Sequence, residues 1–356
     1  MTTGPAPSPE DFATEAAEAI AADADADTTG AAAAAVPDLQ AATPAPVLQT
    51  AAPAPLFTDP VFDGPTDPTV VHDPATGLWR LYYTQRRANQ PDGGVAWVHG
   101  TDIGRATSPD GRVWTYTGTL AGLDRVPGNT WWAPEILRHG DRWHMYVTYL
   151  EGVREDWSGP AEIRHYTSGD LESWTYRSTV DTDSERAIDA AVHRLPNGKW
   201  RMWFKDERRE SRIHAADSED LYTWTPAGPA VTDQAQEGPT VFALGGVYWM
   251  VTDGWSGLLV HRSTDLEHWH RQPVPLLAGP GRRAYDEALG HHAMALTQGP
   301  DEAFLYYFTH PGGGRRSTVQ VARLHVREGW LRCERDEHFD YRPDPALVEP
   351  LRGGAA

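Results

Sequence analysis

A turn of the form Ser-x-Asp-x-x-x-Trp occurs four times in this chain: Ser108-Pro109-Asp110 to Trp114, Ser168-Gly169-Asp170 to Trp174, Ser218-Glu219-Asp220 to Trp224, and Ser263-Thr264-Asp265 to Trp269. Short polar side chains at its first and third positions bond their own backbone and fix a hairpin turn, and the Trp returns to cover the outer edge of the unit. The copies stand roughly 45–60 residues apart, a period that marks a tandem array of supersecondary units. A second signature is an aromatic strand entered from a tight turn: Trp79-Arg80-Leu81-Tyr82-Tyr83, Trp143-His144-Met145-Tyr146, Trp200-Arg201-Met202-Trp203-Phe204, Tyr248-Trp249-Met250 and Phe304-Leu305-Tyr306-Tyr307-Phe308. Pro196-Asn197-Gly198, Gly245-Gly246 and His139-Gly140-Asp141 supply the positive φ that such turns need. Five units of about four short strands each, arranged radially, predict an all-β fold, a five-bladed β-propeller over residues 56–346.

Composition agrees and narrows the function classes. The 33 Gly, 29 Pro and 15 Trp suit turns and aromatic strands and exclude a bundle of long helices. A net charge of −19 argues against a nucleic-acid partner, which would require clustered Lys and Arg. Cys333 is the single cysteine, so no internal disulfide or Cys-based zinc cage forms. No apolar run reaches the roughly 18 residues of a membrane span, and the N-terminus lacks a basic, then apolar leader. A cytoplasmic protein with no membrane partner is expected, with secretion the alternative if the true start lies elsewhere. Residues 1–55 carry eight acidic side chains and no basic one, and read as a solvated extension; 347–356 read as a tail. Within the extension, Ser8-Pro9-Glu10-Asp11 has the form of a helix start, giving a short helix over 9–22 as one reading.

In a propeller the innermost strand of each blade lines the central channel, so polar residues at its start converge on the axis. Eleven to thirteen residues before the aromatic strands stand Asp67, Trp132, Asp189, Glu237 and the pair His291-His292. Asp59 and Asp63 lie nearby, but only Asp67 immediately precedes a strand-like run, Thr69-Val70-Val71. The plain alternative is that each acid bonds neighbouring backbone; three at matching positions beside two histidines favour chemistry. Clustered carboxylates repel, which drives their pKa values apart and lets one serve as acid while another stays a base. Glycoside hydrolysis needs such a pair.

At these residues the sequence resembles glycoside hydrolase family 43, five-bladed enzymes that degrade arabinan and xylan. The matching pieces are Thr66-Asp67-Pro68-Thr69-Val70-Val71, Trp132-Ala133-Pro134-Glu135-Ile136, Ile188-Asp189, Glu237-Gly238-Pro239 and Gly290-His291-His292. The resemblance implies an inverting glycosidase of arabinofuranosidase or xylosidase type acting on an oligosaccharide. It makes Asp67 the general base, Glu237 the general acid, and Asp189 the third carboxylate, which raises the acid's pKa and orients it. It requires no cofactor, and sets a water or a metal ion such as calcium near the axial histidine, making His292 a candidate ligand. Trp132 and Trp255 are candidates for stacking on a sugar face, and Lys205, His291 and Arg283 for substrate contact. Lys205, Arg186 and Arg283 are also candidates to pair the acids. The competing readings are a five-bladed glycosidase of another family, though the β-fructosidase pattern Asn-Asp-Pro-Asn, Arg-Asp-Pro and Glu-Cys is absent, and a propeller that binds sugar without cleaving it.

Overall fold

A computed structural model describes residues 51–123 and 128–348; the expected helix over 9–22 lies outside them. The twenty strands form five four-stranded antiparallel sheets, each made of consecutive strands. Blade one comprises β1 (Pro65–Asp73), β2 (Leu78–Gln85), β3 (Ile103–Ser108) and β4 (Thr115–Thr119). Blade two comprises β5 (Thr130–His139), β6 (Arg142–Leu150), β7 (Glu162–Ser168) and β8 (Thr175–Thr179). Blade three has β9 (Ala187–Arg194), β10 (Trp200–Asp206), β11 (Arg212–Ser218) and β12 (Trp224–Val231). Blade four has β13 (Glu237–Leu244), β14 (Val247–Asp253), β15 (Leu258–Ser263) and β16 (His270–Arg271). Blade five has β17 (His291–Thr297), β18 (Ala303–Thr309), β19 (Thr318–Arg327) and β20 (Trp330–Cys333). The first strand of each blade touches the first strand of the next, so β1, β5, β9, β13 and β17 ring the axis.

The hydrophobic cores lie between blades. One joins Val71, Tyr82 and Ile103 of blade one to Ile136, Met145 and Trp174 of blade two; equivalent clusters fill the other four seams. The repeated turn supplies part of four of the five seams. In all four copies the Ser hydroxyl donates to the Asp carboxylate, which accepts following backbone N–H groups. The residue after the Asp takes positive φ: Gly111, Leu171, Leu221 and Leu266. Its carbonyl is exposed to the preceding blade, where Tyr82 donates to Leu171 O (2.9 Å) and Tyr146 to Leu221 O (2.6 Å). The turn tryptophans begin or immediately precede the outermost strand of their blades and reach the seams from there. Trp224 meets Tyr146 edge-on at 5.5 Å, and Trp269 meets Trp203 at 6.0 Å.

The ring closes between blades five and one without an exchanged strand. Tyr306 bonds Tyr341, which donates to Gly111 O, so the tyrosine-to-turn contact is carried by a relay. Ala51 bridges to Asp340, Leu56 and Phe57 donate to Val319 O, and Arg112 reaches the carbonyls of Ala51 and Tyr341.

Candidate active site

Each axial strand opens with an irregularity in its pairing. The breaks fall between Thr66 and Thr69, Trp132 and Glu135, and Glu237 and Thr240, opposite Trp203 to Lys205 in blade three, and between His291 and Met294. Register identifies the residue at positive φ in each: Asp67, Ala133, Asp189, Gly238 and His292. Asp67, Asp189 and His292 are therefore equivalent, whereas Glu237 stands one residue earlier, in a row with Thr66, Trp132, Ile188 and His291. This corrects the expectation of a single register for all three acids. Counting back from the aromatic strands crosses hairpins of unequal length; the residues that follow the positive-φ position, Pro68, Pro134, Ala190, Pro239 and Ala293, are the better ruler.

A second regularity ties neighbouring blades. The backbone N–H at the positive-φ position donates to a side chain of the preceding blade: Ala133 to Thr84 (2.9 Å), Asp189 to Thr148 (3.0 Å), Gly238 to Asp189 (3.1 Å) and His292 to Asp253 (3.1 Å). These bonds place the acids beside one imidazole. His292 Nδ1 lies 3.3 Å from Asp67 Oδ1 and 3.9 Å from Asp189 Oδ2. The His292 ring lies against Gly238, where a Cβ would fall 2.7 Å from Cγ of the imidazole. Burial disfavours the imidazolium, but the carboxylates of Asp67, Asp189, Glu237 and Asp253 outweigh it and raise the pKa of His292.

The three acids are partnered differently. Asp67 accepts from Thr66 Oγ1 at 3.1 Å and lies 4.0 Å from the Arg86 guanidinium. Glu237 accepts Lys205 Nζ on Oε2 (2.7 Å) and the Trp255 indole N–H on Oε1 (3.0 Å). Asp189 carries the perturbed carboxyl: burial pushes it up to about 7, with His292 opposing and the charges of Glu237 and Asp67 adding to the rise. Around them, Asp253 lies 3.0 Å from His291 Nδ1 and accepts from Trp255 N (2.8 Å). Glu207 pairs with Lys205 at 3.0 Å and with Arg186.

Other expected residues are deployed otherwise. Arg283 is not at the acids: its guanidinium donates to the carbonyls of Val321 (2.7 Å) and Pro53 (2.6 Å), fastening the incoming chain to blade five. Arg186 bonds Glu207 and the carbonyls of Ser158 and Gly159. Trp132 is buried, donates to Val98 O at 2.7 Å, and packs on His99; the more exposed ring of that group is Trp157. Trp255 borders Glu237 and Lys205. His291 stacks on Phe308. Among the described residues no group of three or more His, Cys, Asp or Glu is arranged to hold a metal ion; His292 Nδ1 faces two carboxylates. Sequence reasoning missed Arg86, Asp253 and His310, whose ring packs 5.8 Å from that of His291, and took Glu207 only as part of a charged run. All four lie at or just past the end of a blade's second strand, β2, β14, β18 or β10. Polar residues directly after the aromatic strands were the available signal.

With this geometry in place, the fold can be matched to solved structures. A thermostable family-43 glycoside hydrolase superposes with a TM-score of 0.62 at 19% identity, over 81% of this chain and 100% of the other. A family-43 β-1,3-galactosidase, crystallised with galactodeoxynojirimycin, gives 0.60 at 14% identity, over 78% and 96%. An exo-1,5-α-L-arabinanase from a bovine ruminal metagenomic library gives 0.57 at 17% identity, over 79% and 100%. No family model matches the sequence, and no curated protein matches it. The fold is thus the five-bladed propeller of family-43 glycoside hydrolases.

Proposed function

We propose that this chain is a glycosidase that hydrolyses pentose-containing oligosaccharides with inversion, using Asp67 as general base, Glu237 as general acid and Asp189 as the third carboxylate. The observation that carries the reading is the meeting of Asp67 and Asp189 at one axial imidazole, with Glu237 adjoining through Gly238. Water attacks the anomeric carbon as its proton passes to Asp67. The glycosidic C–O bond breaks, its electron pair stays on the leaving oxygen, and that oxygen takes the proton of Glu237. His292 is held between the acids and compensates part of their charge. No step calls on a metal. The pentose preference draws support from the arabinanase among the structural neighbours; a galactosidase stands beside it, so a substrate panel has to decide.

A second reading exchanges the proton donor. Asp189 has the carboxyl that burial pushes up to about 7, as a resting proton donor requires, whereas Glu237 is bonded to an ammonium group. Aryl pentosides of graded leaving-group ability separate the two. The true acid, replaced by its amide, loses about 10²–10⁴-fold on poor leaving groups and far less on activated ones. That pattern is expected for Glu237→Gln; finding it in Asp189→Asn instead would transfer the role. Failure of the unmodified protein to release sugar from any of a panel of nitrophenyl glycosides and plant oligosaccharides would sink the glycosidase reading.

A further inference from the structure

We propose that Lys205 is a positioning residue for Glu237, fixing the orientation from which that carboxyl delivers its proton; the proposal rests on the glycosidase reading with Glu237 as acid. Lys205 pairs with Ile188 in the sheet, the place held by Thr84 opposite Thr66, Thr148 opposite Trp132, and Asp253 opposite Glu237. In those three blades the residue accepts the N–H at the start of the next axial strand. An ammonium cannot accept that bond, and neither can Phe308, which holds the place opposite His291 in blade five. In blade three Asp189 takes the Gly238 N–H, and Lys205 reaches the preceding residue, Glu237, at 2.7 Å. Where a repeating device is broken and its job is handed to a neighbour, the exception points to function.

The contact fixes where that carboxyl points. A glutamate carboxyl swings on three side-chain bonds, and here both its oxygens are held, by Lys205 on Oε2 and the Trp255 indole on Oε1. Both partners are pure donors, so neither can take the proton; each occupies one lone pair and leaves the rest for the proton and the leaving oxygen. Lys205 is itself held. Its side chain is 7% exposed, bonds Glu207 at 3.0 Å, and places its ammonium 5.2 Å from the Trp255 ring centre. Glu207 is anchored by Arg186, which clasps the carbonyls of Ser158 and Gly159. Glu207 stands between Arg186 and Lys205, so opposite charges adjoin in this buried run. Two of the three N–H bonds of this ammonium go to carboxylates.

The test is steady-state kinetics on aryl glycosides of rising leaving-group pKa, with Glu237→Gln measured in parallel. For Lys205→Met, kcat on poor leaving groups is expected to fall on the order of 10²-fold, the penalty of a misplaced catalytic group. Activated substrates should change little, KM should hold, and Lys205→Arg should recover part of the loss. Should Lys205→Met fail to fold, Trp255→Phe keeps an aromatic ring, removes the other donor, and is expected to show a smaller loss of the same dependence. A uniform rise in KM with kcat intact, or a loss independent of the leaving group, would overturn the positioning role while Glu237→Gln still behaves as the acid variant. If Glu237→Gln itself shows no leaving-group dependence, the assignment of the acid falls first, and this proposal with it.

Discussion

Gly238 shows how little room single residues have at this site. It has a φ of 55°, donates to Asp189, and lies so close to His292 that a methyl group would meet three ring atoms at 2.7–2.9 Å. Gly238→Ala should therefore cost about 1–3 kcal/mol in strain and push His292 off the acids. An urea melt should show a lower midpoint, and kcat/KM should fall on the order of 10²-fold if the imidazole moves about 1 Å. Unchanged values for both would mean that the ring and glycine are not in register as described. Asp67, Asp189 and Glu237 could be found in the sequence because acids before strand-like runs are conspicuous. Their offset was readable only from the residues that follow, Pro68, Ala190 and Pro239. Asp253 was hidden because its role depends on a contact between blades, with His292 39 residues on, and Arg86 because it meets Asp67 only across the pairing of β1 with β2. Arg283 misled because a cation near acids in sequence was fastened, in space, to carbonyls of residue 53 and blade five.

Strands and turns were far easier to read. The Ser-x-Asp turn is determined locally, by bonds spanning two or three residues, so four of five blades announced themselves. Blade five turns instead through Glu328 and Gly329, both at positive φ, and was recognised by its aromatic strand. The seams were not legible: nothing local says that Tyr146 will bond the turn of the next blade. Nor was the segment 51–55, whose composition reads as extension although Ala51 bridges to Asp340 and Pro53 accepts from Arg283; Leu56 and Phe57, which follow it, are each 5% exposed and bonded to blade five. Removing residues 1–50 is expected to leave the melting temperature and turnover intact, since that stretch is acidic and poor in apolar side chains. Carrying the deletion through Phe57 forfeits two buried side chains worth about 1.5–3 kcal/mol each and should lower the melting temperature clearly. Equal melting points for the two truncations would show that the clasp contributes nothing.

At the scale of the whole molecule, the propeller acts as a device for convergence. Five strands with nearly the same start bring residues from blades one, three, four and five to one mouth, and the chain spends its irregular backbone there. Asp67, Asp189 and His292 all sit at positive φ, a conformation costly for residues other than glycine and tolerated where the surrounding structure holds it for a purpose. Repetition made the architecture readable, and the proposed chemistry rests on departures from it, Lys205 among the acceptors and Glu237 one residue out of line. The central claim is that these acids cleave a glycosidic bond by direct attack of water. The most direct measurement is ¹H NMR of the purified full chain turning over an aryl pentoside from the substrate panel, recorded before the product mutarotates. The prediction is that the first sugar to appear has the anomeric configuration opposite to the substrate's and that Asp67→Asn forms none. A first product of retained configuration, or undiminished turnover by Asp67→Asn, would contradict it.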